Sequence, residues 1–253
     1  MTNAVPKVKT IDNASCKQCR FHSTHMRQGR CKPGDICVLI ESGRQIDRFF
    51  RFNPEYASEY VADAFWERRA IAARYVSQPL LLNMMDDPDE VVRRAVAYRL
   101  PLEYLQKMIH DPDREVRITV ADRLPLDQLE EMAADPDYGV RLYVARRLAP
   151  GRLFRMITDS DRNVRKIVAE RLPSVSLGLM ASDSEPEVRR VVAERMEPED
   201  AVNLLHDADW SVRFAAAMTV PLEALKVVVN DPDEEIRNLA QQRLNKEKEN
   251  SIE

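Results

Sequence analysis

Val92, Val96, Ala97 and Leu100 step along the chain by 4, 1 and 3 residues. That stripe covers one face of an α-helix. Proline then closes it at Pro101, Pro125, Pro173 and Pro221, and one residue later at Pro150 and Pro198. No helix continues cleanly through such a position. The next apolar residues step by threes, as in Leu102, Leu105, Met108 and Leu126, Leu129, Met132. Three is the period of a 3₁₀ helix. A short α-turn is also allowed, because Ile109 and Ile157 extend the apolar face beyond the methionine.

This two-part unit returns every 24 residues, opened by Asp87, Asp111, Asp135, Asp159, Asp183, Asp207 and Asp231. Such self-similarity marks a solenoid, in which each unit stacks on its neighbours. Nothing in the repeats alternates with period 2, so no sheet is expected. HEAT-type pairs need about 40 residues, and strand-bearing leucine-rich repeats carry L-x-x-L-x-L; neither fits. An aspartate two residues after the leading one (Asp89, Asp113, Asp137, Asp161, Asp209, Asp233) stands where a helix N-cap belongs. In the Asp183 copy Glu185 takes that slot and Pro186 the first helical position.

Each copy also carries an arginine: Arg93, Arg117, Arg141, Arg165, Arg189, Arg213 and Arg237. Stacking would set these in a repulsive row unless each is paired. We expect each to bond a turn aspartate or a carbonyl of the adjacent repeat, a planar multi-bond role that suits arginine. The competing reading is a row that follows a phosphate backbone. Residues that break the repeat pattern, Tyr138, Phe154, Phe214 and above all Trp210 at a helix start, are the candidate contacts for a partner.

Upstream the register persists in worn form. Asp63, Arg69, Ala73, Leu81 and Met84 match Asp87, Arg93, Ala97, Leu105 and Met108. Seven of the chain's sixteen aromatics lie between Phe49 and Trp66. They are expected to cap the exposed end of the first repeat and to join it to what precedes. Asn53-Pro54 reads as an N-cap and first-turn proline, with Tyr56 and Tyr60 on one helix face.

All four cysteines fall in C-x2-C-x11-C-x5-C: Cys16, Cys19, Cys31 and Cys37. Four thiolates suit a structural zinc or an iron–sulfur cluster. Zinc draws all four sulfurs onto one atom and favours two short knuckles, whereas the Cys31/Cys37 gap is wide. The spacing leans to the cluster and leaves zinc open. Gly29 and Gly34 permit the turns that bring the second pair round. Lys17, Arg20, Arg27, Arg30 and Lys32 are expected to balance the charge of an anionic centre, with a docking surface as the other reading. His22 and His25 are expected beside the ligands rather than among them.

The chain is 32% charged with a formal net charge of -4. Residues 1–60 are locally basic, with ten Lys/Arg against six Asp/Glu, and the acidic surplus elsewhere argues against nucleic acid. No apolar run reaches membrane-spanning length and no signal peptide is evident. The cytoplasm is therefore the expected location, where clustered cysteines bind metal rather than form disulfides. With six glycines and no G-x-S-x-G, phosphate loop or His/Asp set, an enzyme is not expected. The expected organisation is a cysteine domain at 1–48, an aromatic joint with a degenerate repeat at 49–86, seven repeats at 87–244 and a disordered polar tail at 245–253.

The unit D-P-D-x-x-V-R-x-x-V-A-x-R-L-P-L-x-x-L-x-x-M, behind four cysteines, resembles the leucine-rich repeat variant proteins. The resemblance runs from residue 16 to about 244. It implies an all-α, right-handed superhelical solenoid of alternating α and 3₁₀ helices. It also implies a [4Fe-4S] cluster on Cys16, Cys19, Cys31 and Cys37. Thr219 departs from it, replacing the arginine found at Arg99, Arg123, Arg147, Arg171 and Arg195. The function expected is a non-enzymatic, monomeric scaffold for an unknown protein partner. Electron transfer to a docked partner and cluster-gated nucleic-acid binding are the alternatives.

Overall fold

Each repeat of the computed structural model begins with an extended aspartate that turns the chain into a helix. Residues 16–250 are described, with side chains as far as 246; the assignments for residues 1–15 and 251–253 lie outside them. The α-helices are α1 (Gly43–Phe52), α2 (Trp66–Ala72), α3 (Gln78–Asn83), α4 (Glu90–Arg99), α5 (Leu102–Leu105), α6 (Arg114–Arg123), α7 (Tyr138–Arg147), α8 (Arg162–Arg171), α9 (Pro186–Arg195), α10 (Trp210–Thr219) and α11 (Glu234–Asn250). The chain divides into two units, Met1–Pro125 and Leu126–Glu253.

In the second unit α7 to α10 are each followed by a 3₁₀ helix of six or seven residues, the first of these being Pro150–Met156. In the first unit the tight element is mixed: α5 passes directly into 3₁₀ at Gln106–Met108. The degenerate repeat uses the short α-helix α3 there. Steps of three apolar positions fit either form over one turn, so local packing decides between them. Among the described residues there is no strand, only an isolated bridge between Lys32 and Ile36.

The aspartate caps are in place. Asp137 accepts from the backbone N–H of Gly139 at 2.8 Å and Val140 at 3.3 Å, and Asp161 does the same for Asn163 and Val164. Each satisfies donors that the first turn leaves orphaned. Glu185 makes no such bond, and Pro186 stands at the helix start. Within the core Val92, Val96, Ala97, Leu100 and Leu105 are fully buried, as are Val164, Val168, Ala169 and Leu177. A buried side chain of this size contributes about 1.5–3 kcal/mol, and each copy supplies several.

The arginine row is paired. Arg93 donates from Nε and Nη2 to both carboxylate oxygens of Asp111, at 2.8 and 3.0 Å. Arg69–Asp87 repeats the pattern in the first unit, and Arg141–Asp159, Arg165–Asp183, Arg189–Asp207 and Arg213–Asp231 in the second. The remaining nitrogen donates to carbonyls of the arginine's own repeat, as Arg165 Nη1 does to Asp159 O. The worn first repeat is thereby a working member of its stack.

A second arginine row closes helix ends. Arg171 Nη1 donates to Ala145 O at 2.6 Å and Leu148 O at 2.9 Å, and Arg195 treats Ala169 and Leu172 alike. These are C-terminal carbonyls of the preceding helix, where a cation is favoured. Thr219 cannot reach so far, and its hydroxyl bonds Ala216 O in its own helix. Thr219→Arg is expected to bond the Ala193 and Met196 carbonyls and to stabilise the protein by about 1 kcal/mol. A thermal midpoint that stays put or falls would contradict this.

Two expected boundaries shift, and one expected cap is not made. α1 runs straight through the 48/49 division, so the cysteine domain and the joint share a helix. The tail expected from 245 is helical as far as Asn250. Asn53 does not cap the 3₁₀ helix Pro54–Tyr60. It is fully buried and donates its amide to Phe49 O and Arg30 O, both at 2.8 Å. Closing the end of α1 onto the cysteine segment outcompetes the cap.

Candidate metal centre

The cysteine segment is a series of turns held to α1. Cys19 N–H donates to Cys16 O at 3.1 Å, making the first pair a single turn. Gly29 and Gly34 take positive φ of 71° and 76°, a conformation that side-chain-bearing residues resist. The Gly34 turn closes the Lys32–Ile36 bridge, leaving Cys31 and Cys37 just outside it on opposite arms. Cys31 N–H donates to His25 O and Cys37 N–H to Gln45 O on α1, each at 3.2 Å.

Turns and bridge bring the four thiols within electrostatic reach of one another. Burial pushes the Cys31 thiol up to about 11, and the charges of Cys37, Cys19 and Cys16 push the same way. The Cys16 thiol is raised by burial first and then by Cys19 and Cys37. Mutual repulsion of this kind is relieved by a bound cation, which binds thiolates and releases their protons. Among the described residues no three His, Cys, Asp or Glu side chains converge tightly enough for one metal ion. Four thiols are the donor set of a four-iron cluster, whose corners take one sulfur each, and also of a single tetrahedral zinc. The donor set fits the cluster.

His22 Nδ1 stands 3.7 Å from Cys16 Sγ, within hydrogen-bonding range for sulfur. His25 is buried and packs edge-on against Phe21 and Tyr56, at ring separations of 5.1 and 5.3 Å. Both stand beside the cysteines, as their placement in the loop suggests.

The aromatic joint is formed largely as expected. Phe21 reaches out of the cysteine segment to Phe49 and Tyr56 at 4.9 and 5.1 Å, and Phe50 meets Tyr60 and Tyr75 at 5.5 and 5.9 Å. Phe21, Phe49 and Phe50 are fully buried, while Phe52 is half exposed and outside the cluster of rings. Two of the five basic residues around the cysteines pair with carboxylates downstream of α1. Arg20 pairs with Glu59, and its guanidinium lies 4.4 Å from the Phe21 ring centre. Arg30 pairs with Glu55 and donates from Nε to Phe52 O at 3.0 Å. Both are spent tying the segment to residues 52–59.

Trp210 lies in the second unit, at the first position of α10 and 51% exposed. With Phe214 and Met218, one and two turns on, it lines a shallow hollow of about 440 Å³ rimmed by Arg190, Glu194 and Glu235. The structure places it on the surface as expected.

Residues 12–59 match a family model described as the LRV protein FeS4 cluster. Residues 91–113 and 114–137 match the leucine rich repeat variant model. An uncharacterized 27.7 kDa protein in the nifB 3' region of Rhodobacter capsulatus is 39% identical over 91 residues, which is 36% of this chain and 37% of that protein. A solved structure described as a leucine-rich repeat variant with a novel repetitive protein structural motif is 60% identical, with a TM-score of 0.87. That match covers 90% of this chain and 98% of the solved one. The alternation of helices, the paired charges and this extent of identity agree: the chain belongs to the leucine-rich repeat variant family.

Proposed function

We propose that the protein is a non-enzymatic binding scaffold whose N-terminal segment holds a [4Fe-4S] cluster on Cys16, Cys19, Cys31 and Cys37. The observation that carries the scaffold reading is that the repeated charges are spent inside the stack. Arginines bonded at both edges to aspartate and carbonyl have little left for a phosphate backbone. Recognition then falls to the positions that vary between repeats. A protein partner suits such a surface better than nucleic acid.

Bound there, the cluster supplies one-electron redox chemistry and a four-point tether. The chain's own residues hold that tether in place. Phe21 anchors it to α1, Arg20 and Arg30 pin its flanks, and Cys37 is fixed through its backbone to Gln45. Among the described residues no helix is long and apolar enough to cross a membrane. A reducing cytoplasm, where thiols remain available to iron, fits this reading.

Anaerobic purification followed by metal, sulfide and electron paramagnetic resonance analysis tests the centre. Iron and acid-labile sulfide in equal amounts are expected, with zinc near background. Stoichiometric zinc without sulfide would overturn the cluster. Reversible reduction with a partner-dependent electron rate would move the function from scaffold to electron transfer.

A further inference from the structure

We propose that the first unit carries a docking trough for an acidic segment of another protein, running over α1, α2, α4 and α6. This rests on the scaffold reading and gives the class of its partner. The trough begins as a hollow of about 610 Å³ lined by Arg74, Arg94, Arg99 and Tyr98, with Arg74 paired to Asp47 at 3.2 Å. Its floor is apolar, made by Ala70, Val91 and Ala95. A second hollow of about 360 Å³ shares Ala70, Arg74 and Val91 with it and continues to Arg44 and Trp66. Exposed aromatics therefore stand at both ends, Tyr98 at 71% and Trp66 at 38%. Arginine and aromatic side chains over an apolar floor are the groups that dominate protein recognition.

Arg94 and Arg44 are unlike the arginines of the stack. Neither side chain makes a hydrogen bond or ion pair among the described residues. The contrast with the corresponding helix position elsewhere is instructive. Arg190 occupies it in α9 and pairs with Glu194 one turn later. In α4 that next-turn place holds Tyr98, so Arg94 has no internal carboxylate and faces the hollow. Arg99 is held at one nitrogen by the Ala73 and Val76 carbonyls, which fixes its charge at the trough wall.

Carboxylates interleave with these cations. Asp47 and Glu67 line the narrower hollow and Glu115 the wider one. A continuous phosphate backbone would meet them at close spacing. A peptide with spaced acidic side chains can place each beside a guanidinium and its apolar residues on the floor. Charge complementarity therefore selects an acidic protein segment over nucleic acid.

The test uses the intact, cluster-loaded chain and a fluorescein-labelled peptide in which glutamates alternate with leucine and alanine, followed by fluorescence polarisation at low salt. Arg94→Gln is expected to weaken binding about tenfold, the loss of one charge-assisted contact. Arg44→Gln combined with it is expected to remove measurable binding. Lys166→Gln, at the same helix position in α8, should change nothing. Because the Arg44 and Arg94 side chains have no partner among the described residues, an unchanged thermal midpoint will show that the fold is intact. Several results would overturn the trough: no binding of the peptide, binding indifferent to both arginines, or tighter binding of a single-stranded oligonucleotide of equal charge. Binding indifferent to both arginines but lost in Trp210→Ala would sink the trough and leave the scaffold standing. Absence of iron would sink the cluster without touching either.

Discussion

Cys31→Ser is expected to strip the iron–sulfur centre and unfold the segment before α1. Cys31 is the most buried of the four cysteines, 7% exposed, and its backbone is already bonded to His25 O. A serine there puts a hydroxyl where a soft ligand is needed. The segment buries only a handful of side chains and cannot hold itself together by packing alone. Metal ligation in small domains supplies on the order of 10 kcal/mol of folding free energy. The visible absorption of the centre should vanish, and amide protection between Cys16 and Ser42 should fall to that of an open chain. Protection of the helices from α7 onward should persist. A Cys31→Ser protein with full iron content would exclude Cys31 as a ligand.

Arg189→Met is expected to cost about 3–5 kcal/mol, because it leaves a buried carboxylate without its counter-ion. Arg189 holds both oxygens of Asp207 at 2.7 and 2.8 Å, and the aspartate side chain is only 8% exposed. Removing Arg152 from its exposed pair with Glu130 should cost less than about 1 kcal/mol. Arg189→Met combined with Asp207→Asn should recover part of the loss. Asparagine keeps the side-chain oxygen that accepts from Asp209 N–H and carries no charge to strand. Urea unfolding of the three variants measures this, and equal costs for Arg189 and Arg152 would contradict the argument.

The same pairs set an acid limit. The carboxyls of Asp207 and Asp231 are held below the usual 3.8, chiefly by hydrogen bonds from Arg189 and Arg213. A depressed folded value stabilises the protein fully above the unfolded value. That stability is lost as pH falls through the folded one. The urea midpoint of the parent protein should therefore be flat above pH ~5 and decline below ~4. In Arg189→Met the share due to Asp207 should disappear from that decline.

The repeats were legible because each copy states its bonds in sequence. An aspartate two residues past another announces a cap, and an arginine present in every copy announces a partner present in every copy. Asp63 and Arg69 could be placed by the same register, and their repeat does carry the Arg69–Asp87 pair. Less was visible where one residue type serves two geometries. Asn53 before Pro54 reads as a cap, but burial turned its amide onto two carbonyls. Arg99 and its equivalents looked like mere repetition until their reach across to the previous helix end was seen. The charges around the cysteines pointed to an anionic centre, but Arg20 and Arg30 found Glu59 and Glu55, far off in sequence. The gathering of the cysteines in one short segment was legible from spacing, and the turns at Gly29 and Gly34 fold that segment back on itself. The trough was not, because it depends on an absence: Tyr98 sits where a partnering glutamate stands after Arg190.

The forward reach of each arginine to the following aspartate has a consequence for how such a chain can lengthen. The bond is defined by adjacency, always 18 residues ahead, and not by any absolute address. Copying or excising one whole unit recreates every plug and socket at the seam, whereas slipping the frame by a single amino acid mismatches them at once. Genetic change at this locus is thereby steered toward gain or loss of complete modules, and the array can alter its extent without inventing a new joint.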